Sequence, residues 1–407
     1  MINPLPTVRA EWRRSRAGAS AVVVLIGLAV ALGVAVTAQE RGLRTGSARA
    51  ADSFDLVVGA RGSATQLVLT TVYLQSGLLE LVPGSVLTSL QAEPGVAYVA
   101  PLVFGDSYAG LPVVGSTADL VTLGGTRPLA QGRVFVSDRE VVVGADVPLS
   151  LGASFAAVHG SPTLRSEPPG DAAVHSGFDD VVVGRMPRLG SPWDRAIVAP
   201  VEALWRVHAR PRGHGSDSED RIGPPWGADV SGVSAIVVKP RSVADAYRLR
   251  ARYRDERTMA VFPAEVLVEL YALVGDARAA LSLIALATQT LVVAAVLLTM
   301  LAALAERRRL LAVLRALGAS RTYVFAAVWS YVSLLVAAGA VLGLVIGWCA
   351  ALGFSTLLRA RTGLALPVGL SGHEVAMAGA LVIVGAALAL IPAGLSYRQP
   401  VAAGLKS

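Results

Sequence analysis

The chain has 407 residues, 54% hydrophobic and only 16% charged, with a formal net charge of +7; its mean hydropathy is +0.58 and its sequence pI about 9.9. Soluble globular chains carry roughly 25% charged residues, so this is the composition of a membrane protein. Its arginines lie beside apolar runs rather than on one polar domain, which fits membrane topology and argues against nucleic acid as a partner.

Cysteine and lysine usage narrow the chemistry further. The single cysteine, Cys349, sits inside an apolar run, so an intrachain disulfide or thiolate cluster is excluded and a small buried hydrophobe is expected. The two lysines, Lys239 and Lys406, follow no glycine. No GxxxxGK[ST] loop can be written, and any nucleotide would have to be bound by another chain.

A bilayer core takes about 20 mostly apolar residues in helical form. The first qualifying window, 17–38, reads AGASAVVVLIGLAVALGVAVTA. Arg13, Arg14 and Arg16 before it and Val36-Thr37-Ala38 at its end also resemble a cleaved signal peptide. The apolar run is about 21 residues, beyond the 7–15 of a signal core, and an uncleaved anchor is expected.

Residues 39–263 read as a mixed α/β domain. FDLVVG (54–59), VAYVAPLVF (96–104), EVVVG (140–144), DVVVG (180–184) and SAIVVKP (234–240) are short β-branched runs bounded by Gly, Pro or Asp, as strands are. SVLTSLQAE (85–93) and PVEALWRVH (200–208) read as helices, the second with Pro200 in its first turn. Segments 160–177 and 209–232 are rich in Pro, Gly and Ser and are expected to be loops. His159, His175, His208 and His214 flank them; none makes the i,i+4 pair of a helical metal site, so exposed polar residues are expected and no metal.

From 264 to 304 there is no proline and one glycine, Gly275, while Val266, Leu267, Leu270 and Val274 recur at helical spacing. Residues 264–305 are therefore expected as a stalk helix continuing into the second span, LSLIALATQTLVVAAVLLTMLAALA (281–305), either unbroken or hinged near Gly275. Gln289 is the one amide in that span and is expected to bond a neighbouring helix.

Next comes ERRRLLAVLRALGAS, 306–320, within an expected cytoplasmic segment 306–322. Leu310, Leu314 and Leu317 share one helical face, with Arg308, Arg309 and Arg315 largely off it, and Gly318 suits a helix end. Such a helix can lie among lipid headgroups or fit a groove on a partner protein. The third span is expected over 323–352, where Gly339, Gly343 and Gly347 form two GxxxG steps. Small residues at that spacing let helix backbones approach, within one bundle or between two copies of the chain. A short outer loop (353–374), a fourth span (375–395) and a tail (396–407) complete the chain.

Arginine counts orient the spans. Arg9, Arg13, Arg14 and Arg16 precede the first; Arg307, Arg308, Arg309, Arg315 and Arg321 fill the loop after the second; Arg398 and Lys406 follow the fourth. All three groups fall on one side, so residues 1–16 and 396–407 are expected in the cytoplasm and 39–280 outside it.

Glu306-Arg307-Arg308-Arg309 followed by VLRALGAS (313–320) resembles the coupling segment of FtsX/MacB-type ABC-transporter permeases, E-R-x-x-E-x-x-x-L-R-A-L-G-A-S. The family's internal acidic residue is replaced here by Leu310 or Leu311, so the contact would differ in detail. Gly132-Arg133 with EVVVGADVPLSLGASF (140–155) is similar to the MacB-like periplasmic core. Ile391-Pro392-Ala393 with YRQPVAAGL (397–405) is similar to the family's closing segment.

The resemblance implies a four-span α-helical membrane protein of the cytoplasmic membrane with a large α/β domain between the first two spans. It also implies a non-catalytic permease subunit, paired with a second copy or a related permease. A separate ATPase would bind ATP and contact Glu306, Arg307, Arg308, Arg309, Leu310, Leu314, Arg315, Leu317 and Gly318. The complex would export or extract a substrate by mechanotransmission, or switch an outer partner such as a cell-wall hydrolase. A membrane-anchored binding or sensor protein without an ATPase is the rival class. No HExxH, GxSxG or convergent Cys/His pattern for bond-making chemistry is present, and no cofactor of the chain's own is expected.

Overall fold

The computed structural model describes residues 4–160, 174–214, 221–272 and 318–398, with scattered positions between 283 and 315. The chain divides into two compact units, one from residues 1–43, 274–357 and 367–407 and the other from 44–273 and 358–366. Two helices open it, α1 (Leu5–Arg14) and α2 (Arg16–Ala51). The second continues beyond the expected 38, because Gln39 to Ala51 contains no proline and closes on two alanines. Loss of apolarity marks where lipid ends, not where helical hydrogen bonding ends.

The α/β unit follows: β1 (Leu56–Ala60), α3 (Ala64–Thr71), α4 (Gly84–Gln91), β2 (Val96–Tyr108), β3 (Leu111–Ser116), α5 (Ala118–Thr122), β4 (Gln131–Gly132), β5 (Glu140–Val143), β6 (Ser154–His159), β7 (Val174–Arg185), β8 (Ile197–Pro200), α6 (Val201–Val207), β9 (Ala235–Pro240), α7 (Val243–Arg252) and β10 (Thr258–Val261). The strands form one sheet in the order β10-β1-β9-β2-β3-β8-β5-β7-β4, with β6 bridging β2 and β7. Most neighbours are antiparallel; β3 with β8 and β5 with β7 are parallel. Two helix starts, those of α3 and α7, are capped by serines: the Ser63 hydroxyl accepts from Gln66 N–H at 3.2 Å and Ser242 from Asp245 N–H at 3.1 Å.

Two of the expectations for this unit change. Residues 174–177, expected in a loop, begin β7. Pro200 closes β8 and caps α6 rather than sitting in its first turn, since its ψ of 139° is extended.

Two apolar clusters pack in the α/β unit. One gathers Leu56, Val58, Leu87, Leu90, Trp205 and Ile236; the other gathers Val113, Val141, Phe155, Val182, Ile197 and Leu204. Helix α6 serves both, with Trp205 in the first and Ala203 and Leu204 in the second. That double burial fixes the C-terminal end of α6, where His208 sits.

The membrane unit resumes with α8 (Arg321–Thr362), α9 (Gly372–Leu388) and α10 (Leu390–Arg398). The Ser320 hydroxyl caps α8 by accepting from Tyr323 N–H at 3.2 Å. The helix runs well past the expected 352, so most of the expected loop 353–374 is helical. It stops at Gly363, whose φ of +75° suits a residue without Cβ and whose N–H donates to Arg359 O at 2.8 Å. The chain turns at Ala389 because Pro392 has no N–H to offer the Leu388 carbonyl.

Three described helices are long and apolar enough to cross a membrane: Arg16–Ala51, Arg321–Thr362 and Gly372–Gly394. Their inner faces bring together Val22, Ile26, Val30 and Val34 of α2, Leu335 and Val336 of α8, and Ala378 of α9. Leu28, Val341 and Ile383 remain exposed, as lipid-facing side chains are. The expected second span lies largely outside the described residues, as do Gln289 and the hinge at Gly275. Residues 263–272 are helical, with Val266 and Leu267 buried as the stripe predicts.

Candidate functional site

Of the basic segment, Glu306, Arg307, Arg308, Arg309, Leu310, Leu314 and Leu317 lie outside the described residues. Arg315 is half-buried in a helical position, and its carbonyl accepts from Gly318 N–H at 3.1 Å. Gly318 has φ +100°, a left-handed turn that separates the segment from the start of α8. The last two residues of the segment, Ala319-Ser320, lead directly into α8.

The glycine stripe of α8 lies against α2. A Cβ on Gly339 would stand 2.6 Å from Ile26 Cβ, on Gly343 2.5 Å from Val30 Cβ, and on Gly347 2.8 Å from Val34 Cβ. Contacts this short are absent between real side chains, so only glycine permits the approach. The partners of the three glycines are spaced four apart on α2, as the glycines are on α8, which makes a regular backbone-to-backbone seam. Two polar ties flank it: Gln39 Nε2 donates to Ala351 O at 2.8 Å, and the hydroxyls of Thr7 and Tyr323 bond each other.

A further polar knot closes α2 onto α9. Arg41 pairs with Glu374, which is fully buried, and donates to the Ser371 hydroxyl at 2.7 Å. Ser371 and Glu374 also form a capping box at the start of α9. Ser371-Gly-His-Glu374 carries the S-x-x-E pattern of such a box, so this was the readable signal; its arginine partner, far away in sequence, was not readable.

The last residues of α8 are held by the α/β unit. Arg195 Nη1 donates to the carbonyls of Ala360 at 2.8 Å and Arg361 at 2.7 Å, which have no onward helical partner. Ala365 N–H donates to Gly190 O at 3.0 Å, and Arg359 pairs with Asp146 at 3.3 Å, the latter also bound by Arg188 at 2.7 Å. The turn that supplies Arg188, Gly190 and Arg195 is itself pinned by Asp194. That carboxylate, wholly buried, accepts from Leu189 N–H at 2.7 Å and Gly190 N–H at 2.8 Å. Burial pushes its pKa up, and the two amides oppose that shift.

The histidines separate into different environments. His214 is buried 3.5 Å from Glu202, which also accepts from Trp226 Nε1 at 2.7 Å. His159 and His208 are brought together on Asp106, a convergence across three elements that local spacing gave no sign of. Close by, burial pushes the Asp180 carboxyl up to about 7, with Arg206 opposing and Asp106, Asp138 and Asp179 adding.

Residues 282–401 match the family described as FtsX-like permease C-terminal. Among curated proteins no relative matches the chain. Two solved structures are similar at 11% identity. The periplasmic region of MacB from Actinobacillus actinomycetemcomitans has a TM-score of 0.32, covering 54% of this chain and 94% of that one. The extracellular domain of the noncanonic ABC-type transporter YknZ from Gram-positive bacteria has a TM-score of 0.29, covering 51% and 98%. Residues 282–401 are thus similar to the C-terminal domain of FtsX-like permeases, and two of the three described helices of spanning length, Arg321–Thr362 and Gly372–Gly394, fall within them.

Proposed function

We propose that this permease subunit is moved by a separate ATPase docked on the 306–320 segment, and that the movement is delivered to the α/β unit, outside the cytoplasm, to export or extract a substrate. The observation that carries this reading is the continuity of α8. It begins at Arg321, directly after the basic segment, and its final residues belong to the α/β unit through Arg195, Gly190 and Asp146. A helix is stiff along its axis, so displacement at one end reaches the other without an intervening hinge.

Coupling of this kind requires a free-energy difference between two arrangements that both ends sense. On this reading α8 is a transmission element in its own right, beside the helix that enters the second span. Two permease copies and two ATPase copies complete the assembly, with ATP held by the ATPase and the chain's termini in the cytoplasm. The chain contributes no reacting group.

The test is a pull-down of the full-length protein from its native membranes, comparing wild type with Leu314→Asp/Leu317→Asp. A nucleotide hydrolase co-purifies with wild type and is lost from the double variant, together with substrate-stimulated ATP turnover. Retention of the hydrolase by the variant, or recovery of lipid alone by crosslinks from Arg315 in the wild type, overturns the proposal.

A further inference from the structure

We infer that Asp106, His159 and His208 form a binding site for a divalent transition-metal ion, with zinc as the chemical type. The three side chains come from β2, from the end of β6 and from the residue capping α6. One ligand atom from each lies within 4.8 Å of the others.

The backbone is shaped to bring them together. The pairing of β2 with β3 shifts register between Val103 and Asp106, a bulge at Gly105, whose φ is +148°. Bulges re-aim side chains and recur beside functional sites. Gly160 N–H donates to Gly105 O at 2.7 Å, which ties the end of β6 to the bulge and sets His159 opposite Asp106. The burial of α6 in two apolar clusters fixes His208 from the third side.

Separations favour a metal over simple ion pairing. His159 Nδ1 lies 3.3 Å from Asp106 Oδ1, and His208 Nε2 lies 3.3 Å from Asp106 Oδ2. A charge-assisted N–H···O⁻ bond settles at about 2.7–2.9 Å, so both are long for that role. Two ligands each about 2.0–2.1 Å from a tetrahedral zinc lie about 3.3 Å apart, a spacing that each imidazole nitrogen matches to its own oxygen of Asp106. The imidazole rings are 5.1 Å apart at 66°, which leaves their nitrogens able to converge without stacking.

Exposure sets the coordination number. The Asp106 side chain is 3% exposed, that of His208 23% and that of His159 62%. The carboxylate is therefore fixed and desolvated, while one imidazole faces solvent and can close on an arriving ion. Three protein ligands with an open fourth position are the pattern of exchangeable or reactive zinc rather than of closed structural sites. A water would fill the remaining position.

Zinc titration of the tag-free, full-length protein, stripped with a chelator and reconstituted in lipid nanodiscs, tests the site against a chromophoric competitor. Expected is one zinc ion per chain, a zinc-dependent rise in melting temperature, and visible bands of tetrahedral intensity when cobalt replaces zinc. His159→Ala and His208→Gln should each weaken binding by more than about tenfold, the scale on which metal-site partners act. Their metal-free melting temperatures should be unchanged, and His373→Gln, an exposed histidine on α9, should leave binding intact. Equal zinc uptake by wild type and the His159→Ala/His208→Gln chain overturns the inference, as does equal loss in His373→Gln. Should Asp106→Asn fold poorly, the two histidine variants still decide the matter, because neither side chain holds the core.

Discussion

In the membrane unit the described contact between α2 and α8 is made by residues that have no side chain, whereas in the α/β unit some of the largest side chains are fully buried. Gly339, Gly343 and Gly347 let α8 settle on α2 with Ile26, Val30 and Val34 filling the space a Cβ would occupy. Trp205 instead is 1% exposed at the centre of an apolar cluster, edge-on to Trp226 at 6.4 Å. Solvent explains the contrast. Lipid tails are as apolar as leucine, so helices gain little by burying large side chains and hold together through backbone proximity. Water makes the burial of an indole worth several kcal/mol, so size is favoured there. Enlarging a residue should therefore damage one unit, and shrinking a residue the other.

The largest expected effect is on the water-facing side of that contrast. Trp205→Ala should cost about 3–5 kcal/mol, the range for truncating a buried aromatic. Differential scanning of the full-length protein should show the transition assigned to the α/β unit move down while that of the membrane unit stays. A cost under about 1 kcal/mol would mean that the cluster relaxes around the gap, against the dense packing inferred here.

In the membrane unit, Gly343→Ala should cost about 1–3 kcal/mol by overpacking, read as lowered resistance to unfolding in detergent. Gly379→Ala on α9, where a Cβ would meet none of the described residues within 4 Å, should be neutral or slightly stabilising by helix propensity. Equal effects from the two substitutions would show that the glycine stripe is not a contact seam.

The smallest effect concerns a pair on the surface of the α/β unit. The Arg133 fork holds the Glu140 carboxyl down to about 2, chiefly by direct hydrogen bonding at 2.6 and 2.7 Å. Because the folded pKa lies below the unfolded value of about 4.3, the pair's contribution is complete above that pH and fades as pH falls from there towards 2. Arg133→Gln should lower the melting temperature slightly at pH 7 and make no difference below about pH 2. The arginine is more than half exposed, so solvent screening keeps the change small. A difference that persisted undiminished at the acid end would refute the assignment of the effect to Glu140.

Much of the architecture could be read in advance, and the reasons differ by region. Apolar runs mark the three described helices of spanning length, since charged residues at mid-bilayer are expensive. The β-branched runs at 54–59, 96–104, 140–144, 180–184 and 234–240 mark the strands that became β1, β2, β5, β7 and β9. Strand β3 carries Pro112 and β6 is built on Phe155, Ala156 and Ala157, so local preference does not single them out. They exist because neighbouring strands supply their hydrogen-bond partners. The basic segment was readable as a motif, whereas the clamp of Arg195 and Asp146 on the end of α8 joins positions with no local relation.

The sequence by itself determined that this chain enters a membrane, where its apolar helices lie, and that one of them carries glycines on a single face. Hydropathy and helical spacing are local properties, set by each residue and its near neighbours. Only the tertiary structure decided that those glycines meet α2, that the end of α8 is gripped by the α/β unit, and that Asp106, His159 and His208 converge. Those depend on which distant surfaces pack together, and packing is settled by the whole sheet and bundle at once rather than by any window of sequence.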